Sequence, residues 1–348
     1  MRSWGRAGVA GIAAVVTLGG VSSCAAPEPA LVVYMSAGTE VAAWIEDAFE
    51  ASHPGQVIRL EAVPGTEALE RLRAEAANPT ADVWMGAPSW LMAKGAAEGL
   101  LAESMPAWGA AVPEEMRDAR GRWTGWVADP VVLAFNAERT SRSRAPRDWI
   151  DVLHPRWADD VLLPDPRGSE AMAAFIGTRV ARMRREGGDD APGFDWLARL
   201  DAARRGYVTD GAELVRRLGA GEVSVALLPL SLAETAKQGG RPVDFRIPES
   251  GSPALLRGVG SVVRGPHAAA GAAFVAWLGS RDVRVGLAEH FAQMPAVEGA
   301  LEGEPSWVTD VRPLLRFEVV PADTLAAHLD GWLARWRDEV MGRTRPML

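Results

Sequence analysis

Residues 31–55 read LVVYMSAGTEVAAWIEDAFEASHPG, and the change of period inside them decides the fold. Leu31 to Met35 form an apolar run with no charge, as a strand buried on both faces requires. The small residues Ser36, Ala37 and Gly38 follow, and apolar positions then fall at Val41, Trp44, Ile45, Ala48 and Phe49. That spacing of i, i+3, i+4, i+7 and i+8 lays one apolar stripe along a helix, which stops before Pro54-Gly55. The alternation repeats downstream. VIRLEAV (57–63) reads as a strand, GTEALERLRAEAANP (65–79) as a helix with Thr66 a candidate N-cap, and ADVWMG (81–86) as a third strand. WLMAKGAAEGLL (90–101) returns to the helical period. Strand and helix in turn predict an α/β fold with a parallel sheet.

From Trp123 the pattern changes. WTGWVADPVVLAFN (123–136) is a long extended segment interrupted at Asp129-Pro130, and GVGSVVRG (258–265) is a second one punctuated by glycine. Between them DVLLPDP, GSEAMAAFIGTRVARM, FDWLARLDAARRG and DGAELVRRLGAGEVSVALLPL repeat the strand–helix alternation. Two α/β lobes are expected, with residues 31–128 and 255–348 forming lobe 1 and residues 129–254 forming lobe 2, inserted within it. A last helix is expected near the carboxyl end, capped by Asp330 and burying Leu333, Trp336 and Val340.

The first thirty residues read differently. Arg2 and Arg6 precede an apolar Gly/Ala-rich stretch too short for a comfortable membrane span, and small residues lead to Cys24, the single cysteine. That order predicts a signal peptide over 1–23. Val21-Ser22-Ser23-Cys24 resembles a bacterial lipobox, which implies lipidation of Cys24 and a tether over 24–30. Stable anchoring takes more than one acyl chain.

The chain of 348 residues carries a formal charge of −8. Removing Arg2 and Arg6 with the leader makes it about −10, which excludes nonspecific nucleic-acid binding. No window matches the serine elbow G-x-S-x-G, and no P-loop or dinucleotide glycine motif opens a helix after a strand. Five widely spaced histidines offer no i, i+4 pair. No catalytic residue, metal ligand or cofactor motif is picked out.

Strand-to-helix junctions carry what chemistry there is. Ser36-Ala37-Gly38 and Arg167-Gly168-Ser169 each offer backbone N–H groups and a hydroxyl at a helix start, where the dipole favours negative charge. Arg167 adds a planar fork for phosphate or carboxylate. Gly86-Ala87 belongs to the same rim, flanked by Trp84 and Trp90 as candidate apolar walls, and Tyr207 is either a cleft hydroxyl or an interior aromatic. Arg257, in LLRGVG, is left open between a ligand and a structural carboxylate.

Taken in order, the lipobox, LVVYMSAG, NPTADVWMGAP, DWIDVLHPRWADDVLLPDPRGSEA, LGAGEVSVALLP and AAFVAWLGSRDVR resemble the extracellular solute-binding proteins of bacterial ABC importers. The likeness is to the type 2 periplasmic-binding fold and its branch of ferric-ion, phosphonate, sugar-phosphate, thiamine and polyamine binders. It implies a two-lobed α/β protein that closes on a small molecule in the cleft between lobes and delivers it to a permease, with no enzymatic step. Carried over by position, Ser36, Ala37, Gly38, Gly86, Ala87, Gly168 and Ser169 face the ligand. Pro229 and Leu230 fall where the ferric branch places two adjacent tyrosines. Ferric iron wants anionic oxygen ligands, so the expectation is a small organic anion of phosphonate, organophosphate or carboxylate type, bound by an envelope-anchored monomer. The alternatives are a ferric or chelated-metal binder of the same fold, a lipid-anchored hydrolase using the same cleft, and a sensor subunit.

Overall fold

The structure, a computed structural model, describes residues 31–297, 299 and 302–341. The signal peptide, Cys24 and the tether lie outside the described residues.

The chain alternates as its periods dictate. Strand β1 (Leu31–Met35) leads to α1 (Thr39–Ser52), β2 (Ile58–Ala62), α2 (Gly65–Ala74), β3 (Val83–Pro88) and α3 (Ser89–Ala97). The long strand β4 (Thr124–Asn136) enters a second set: β5 (Val161–Pro164), α4 (Glu170–Gly187), α5 (Ala191–Ala203), β6 (Arg204–Val208), α6 (Gly211–Gly219), β7 (Val225–Pro229), α7 (Leu230–Gln238) and β8 (Val243–Arg246). Strand β9 (Ser252–Ser261) returns to the first set. Helices α8 (Ala268–Leu278), α9 (Arg281–Phe291) and α10 (Ser306–Val311), the short strand β10 (Phe317–Glu318) and α11 (Ala322–Arg335) complete the chain, with a π-helical turn at Trp336–Met341.

One curled sheet runs in the order β2-β1-β3-β9-β4-β7-β5-β6, with β10 beside β9 and β8 beside β4. Strand β1 is parallel to β2 and β3, and β5 is parallel to β6 and β7. The two groups meet only through β4 and β9, which are antiparallel to each other and to their outer neighbours. Strand β4 changes partner along its length: Thr124–Pro130 pairs with β9, and Val131–Phe135 with β7. Pro130 stands at that change, where a residue without an N–H costs the ladder least.

Local chemistry accounts for the packing. All five residues of β1 are buried, and the hydroxyl of Tyr34 donates to Glu75 at 2.8 Å. Helix α1 sinks Val41, Ala42, Ile45 and Phe49 against the sheet, each large side chain contributing roughly 1.5–3 kcal/mol. Trp84 and Trp90 are both buried in the core. Neither lines the two cavities of the cleft described below.

One expectation at the carboxyl end needs correction. Asp330 does not cap a helix, because α11 starts earlier, after Pro321, and runs through it. Its carboxylate instead accepts from Lys94 on α3 at 2.7 Å. This end also touches the second set. Leu325 and Leu329 seat over Gly177 of α4, and the Trp332 indole donates to Asp190 at the start of α5 at 2.9 Å. Helix α11 therefore binds elements of both sets.

Candidate functional site

The carboxyl ends of β1, β3, β5 and β7 meet around one arginine. Arg257, on β9, donates through Nη1 to the carbonyls of Gly86 (2.7 Å) and Ser36 (3.1 Å). Its Nη2 pairs with Glu170 Oε2 at 2.8 Å. The first two contacts tie the guanidinium to the β1 and β3 loops, and the third reaches the first residue of α4. These two residues line both of the cavities found here.

The first cavity, about 330 Å³, is bounded by Ser36, Ala37, Gly38, Pro64 and Gly65. Helices α1 and α2 both start on it, and neither start is capped by a side chain. A Cβ built on Gly38 meets nothing within 4 Å, so the α1 amides open onto free space. The Ser36 hydroxyl is buried and without a partner among the described residues. Gly86 and Ala87 are buried beneath this loop and form its floor, bounding neither cavity. Gly86 has φ +75°, and a Cβ there would stand 3.1 Å from the carbonyl of Ser36. Glycine lets β3 bulge past the β1 loop.

The second cavity, about 430 Å³, is bounded by Asp129, Gly168, Ser169, Thr209, Pro229 and Ser231, among others. The 165–169 turn shapes one wall. Asp165 is buried at the end of β5, and its backbone carbonyl accepts from the amides of Gly168 (3.0 Å) and Ser169 (2.9 Å). Those two amides, expected from the sequence to be free, are spent on the turn. The amides left without a partner among the described residues are those of Glu170 and Ala171, the first two of α4. The Ser169 hydroxyl caps α4 by accepting from Met172 N at 3.2 Å and keeps its proton to donate.

Two expected contributors stand apart from the cavities. Arg167 folds back onto the carboxylate two residues before it, its Nε donating to Asp165 Oδ1 at 2.9 Å. Its guanidinium is 63% exposed and lines neither cavity. Hydrogen bonding from Arg167 holds the Asp165 carboxyl below the usual carboxylate range. Tyr207 donates its hydroxyl to Asp201 and sets its ring edge-on to Trp336 at 5.3 Å. Burial, then Asp201, push its phenol up, so it stays neutral in the interior. Of the adjacent pair at the end of β7, Pro229 lines the second cavity and Leu230 is buried in the core behind it.

Sequence reasoning missed Asp129, Glu170, Thr209 and Ser231. Asp129 takes the place of a side-chain cap for α7, accepting from Ser231 N (3.1 Å) and Ser231 Oγ (2.6 Å). Burial pushes its carboxyl above the usual range, against the hydrogen bonds from Ser231 and the charge of Arg257. Its one signal in the sequence was the Asp-Pro break in an otherwise apolar extended run. Among the described residues no three His, Cys, Asp or Glu side chains gather in a metal-holding arrangement.

The arrangement can hold an anionic oxygen with α1 and α4 amides, two serine hydroxyls and one guanidinium. A sequence model for bacterial extracellular solute-binding proteins matches residues 78–315. A probable ABC transporter periplasmic-binding protein of Sinorhizobium fredii is 28% identical over 314 residues, covering 89% of this chain and 86% of the relative. A putative 2-aminoethylphosphonate-binding periplasmic protein of Salmonella typhimurium is 24% identical over 313 residues, 84% of this chain and 86% of the relative. In fold, the apo ferric ion-binding protein A of Pasteurella haemolytica superposes with a TM-score of 0.76 at 16% identity, over 92% of this chain and 100% of that one. The periplasmic binding protein AfuA of Actinobacillus pleuropneumoniae, with fructose-6-phosphate bound, gives 0.70 at 18% identity, over 90% and 98%.

Proposed function

The chain belongs to the bacterial extracellular solute-binding proteins, which serve ABC importers, and from that membership we propose that its solute is a small organic anion of phosphonate, organophosphate or carboxylate type. The observation that carries this reading is Arg257, held by two backbone carbonyls at the junction of two cavities onto which the uncapped start of α1 and the first two amides of α4 open. Ser36, Ala37, Gly38, Ser169 and Pro229 face the solute, and Glu170, Ala171, Ser231 and Arg257 join them. Gly168 lines the second cavity with its amide spent on the turn, and Gly86, Ala87 and Leu230 support the walls from behind. The names of the Salmonella relative and of the sugar-phosphate complex support an acid-bearing solute.

Residues 31–128 with 255–348 form one lobe and residues 129–254 the other, with the hinge where β4 changes partner at Pro130. Binding is without turnover, a reading supported by the naming of its relatives as transporter binding proteins. Capture occurs because the closed state binds the solute better than the open one, and the solute then passes to a permease. Lipid at Cys24 holds the protein to the envelope. A Cys24→Ser chain should leave the membrane fraction, and retention there would refute the anchor.

The test is a thermal-shift panel of phosphonates, phosphate esters, carboxylates, polyamines, thiamine and ferric salts. A solute at a hundred times its dissociation constant stabilises the native state by about 2.7 kcal/mol. A shift confined to the acids supports the proposal. A shift with free ferric iron alone overturns it, and hydrolysis of a bound phosphate ester overturns the noncatalytic part.

A further inference from the structure

Arg257 and Glu170 pair at the seam of the two cavities, but they are not held alike. Arg257 keeps two carbonyl contacts whatever Glu170 does, and its side chain is 20% exposed. Glu170 is 40% exposed, and Arg257 is the one partner its carboxylate has among the described residues. As the first residue of α4, its backbone stays helical when the side chain turns. The other carboxylate on the cavities, Asp129, is engaged by Ser231 at the start of α7.

A solute acid that pairs with Nη2 of Arg257 in the place of Glu170 displaces that carboxylate. A purely anionic solute then leaves that carboxylate unpaired, facing a second negative charge in a half-buried cleft, which is unfavourable twice over. A solute bearing an ammonium beside its acid removes both penalties. The acid takes Arg257 and the α1 and α4 amides, while the ammonium takes Glu170. Each half of the existing ion pair exchanges its partner and no charge is left alone.

We propose that Glu170 is the specificity-determining residue of the cleft, and that the solute it selects is a zwitterion carrying an ammonium a short carbon chain away from its phosphonate, phosphate or carboxylate group. This rests on the solute-binding reading above and narrows it. It also gives the unliganded protein an internal stand-in, since the Glu170 carboxylate occupies on Arg257 the place the solute acid will take.

Calorimetric titration of the mature chain tests it with matched pairs: an ω-aminoalkyl phosphonate, phosphate ester or carboxylate against its amine-free counterpart of equal length. The wild type should bind the amino member of the preferred pair at least about tenfold more tightly, the scale of one charge-assisted hydrogen bond. Glu170→Gln should abolish most of that ratio, weakening the amino member and strengthening the amine-free one. Equal affinities in the wild type, or preference for the amine-free member, overturn the zwitterion proposal and leave the solute-binding reading standing. An unchanged ratio in a folded Glu170→Gln chain overturns the role of Glu170. Binding of no acid in any pair overturns both readings.

Discussion

At the residue scale, the site depends on how closely two loops pass. Gly86 allows β3 to bulge under Ser36, and Ser36 in turn presents the carbonyl that fixes Arg257. Gly86→Ala forces a left-handed backbone onto a side chain and sets its Cβ against the Ser36 backbone. Urea unfolding should show a loss of about 1–3 kcal/mol, with weaker solute binding as Arg257 is displaced; an unchanged midpoint would contradict the close approach. Ser169 can be tested without confounding its two tasks. Glycine is a nearly equivalent N-cap, costing only a few tenths of a kcal/mol. Ser169→Gly should therefore keep stability while weakening an acid solute by about 1.5–3 kcal/mol in calorimetry. Unchanged affinity would restrict Ser169 to capping. Both residues were legible because each sits at a strand–helix junction in the sequence. Glu170 and its pairing with Arg257 were not, because only the fold brings positions so distant in sequence together.

At the scale of elements, the 165–169 turn shows why a motif can be found and its atoms misassigned. PDPRGSE announces a turn before a helix, but which amides remain for a ligand depends on the Asp165 carbonyl taking two of them. The same turn gives a pH dependence. With Arg167 holding the Asp165 carboxyl below its usual range, ionised Asp165 stabilises the fold above about pH 4. That contribution is lost as pH falls through the lowered folded value. The exposure of Arg167 keeps it small, under about 1 kcal/mol. Thermal midpoints of Asp165→Asn should fall less steeply than wild type on acidification, and parallel curves would remove Arg167 from the account. The first three strands and helices were legible because their periods are local. The misplaced cap at Asp330 has an equally local origin: an aspartate on the exposed face of a helix, paired to Lys94, looks in sequence like one that starts a helix. The order of the sheet, with β9 between β3 and β4, is set by long-range pairing that no window of sequence contains.

At the scale of the molecule, the two halves on either side of the proposed hinge share their framework. Strands β4 and β9 pass between both groups of strands, so the sheet is continuous through the hinge. Helix α11 adds a second tie behind it, salt-bridged to α3 through Asp330 and packed on α4 through Leu325 and Leu329. The buried Arg179–Glu318 pair fixes the segment leading into α11 against the same face of α4. Leu329 is 1% exposed, so Leu329→Ala opens a cavity where the tie packs on α4 of the second half. The expected cost is about 2–5 kcal/mol. Because the halves share a sheet and a helix, urea should reveal it as a lower midpoint in a single transition with an unchanged slope. Two separate transitions in the variant, with one matching the wild type, would mean that each half folds on its own and that α11 merely rests across them.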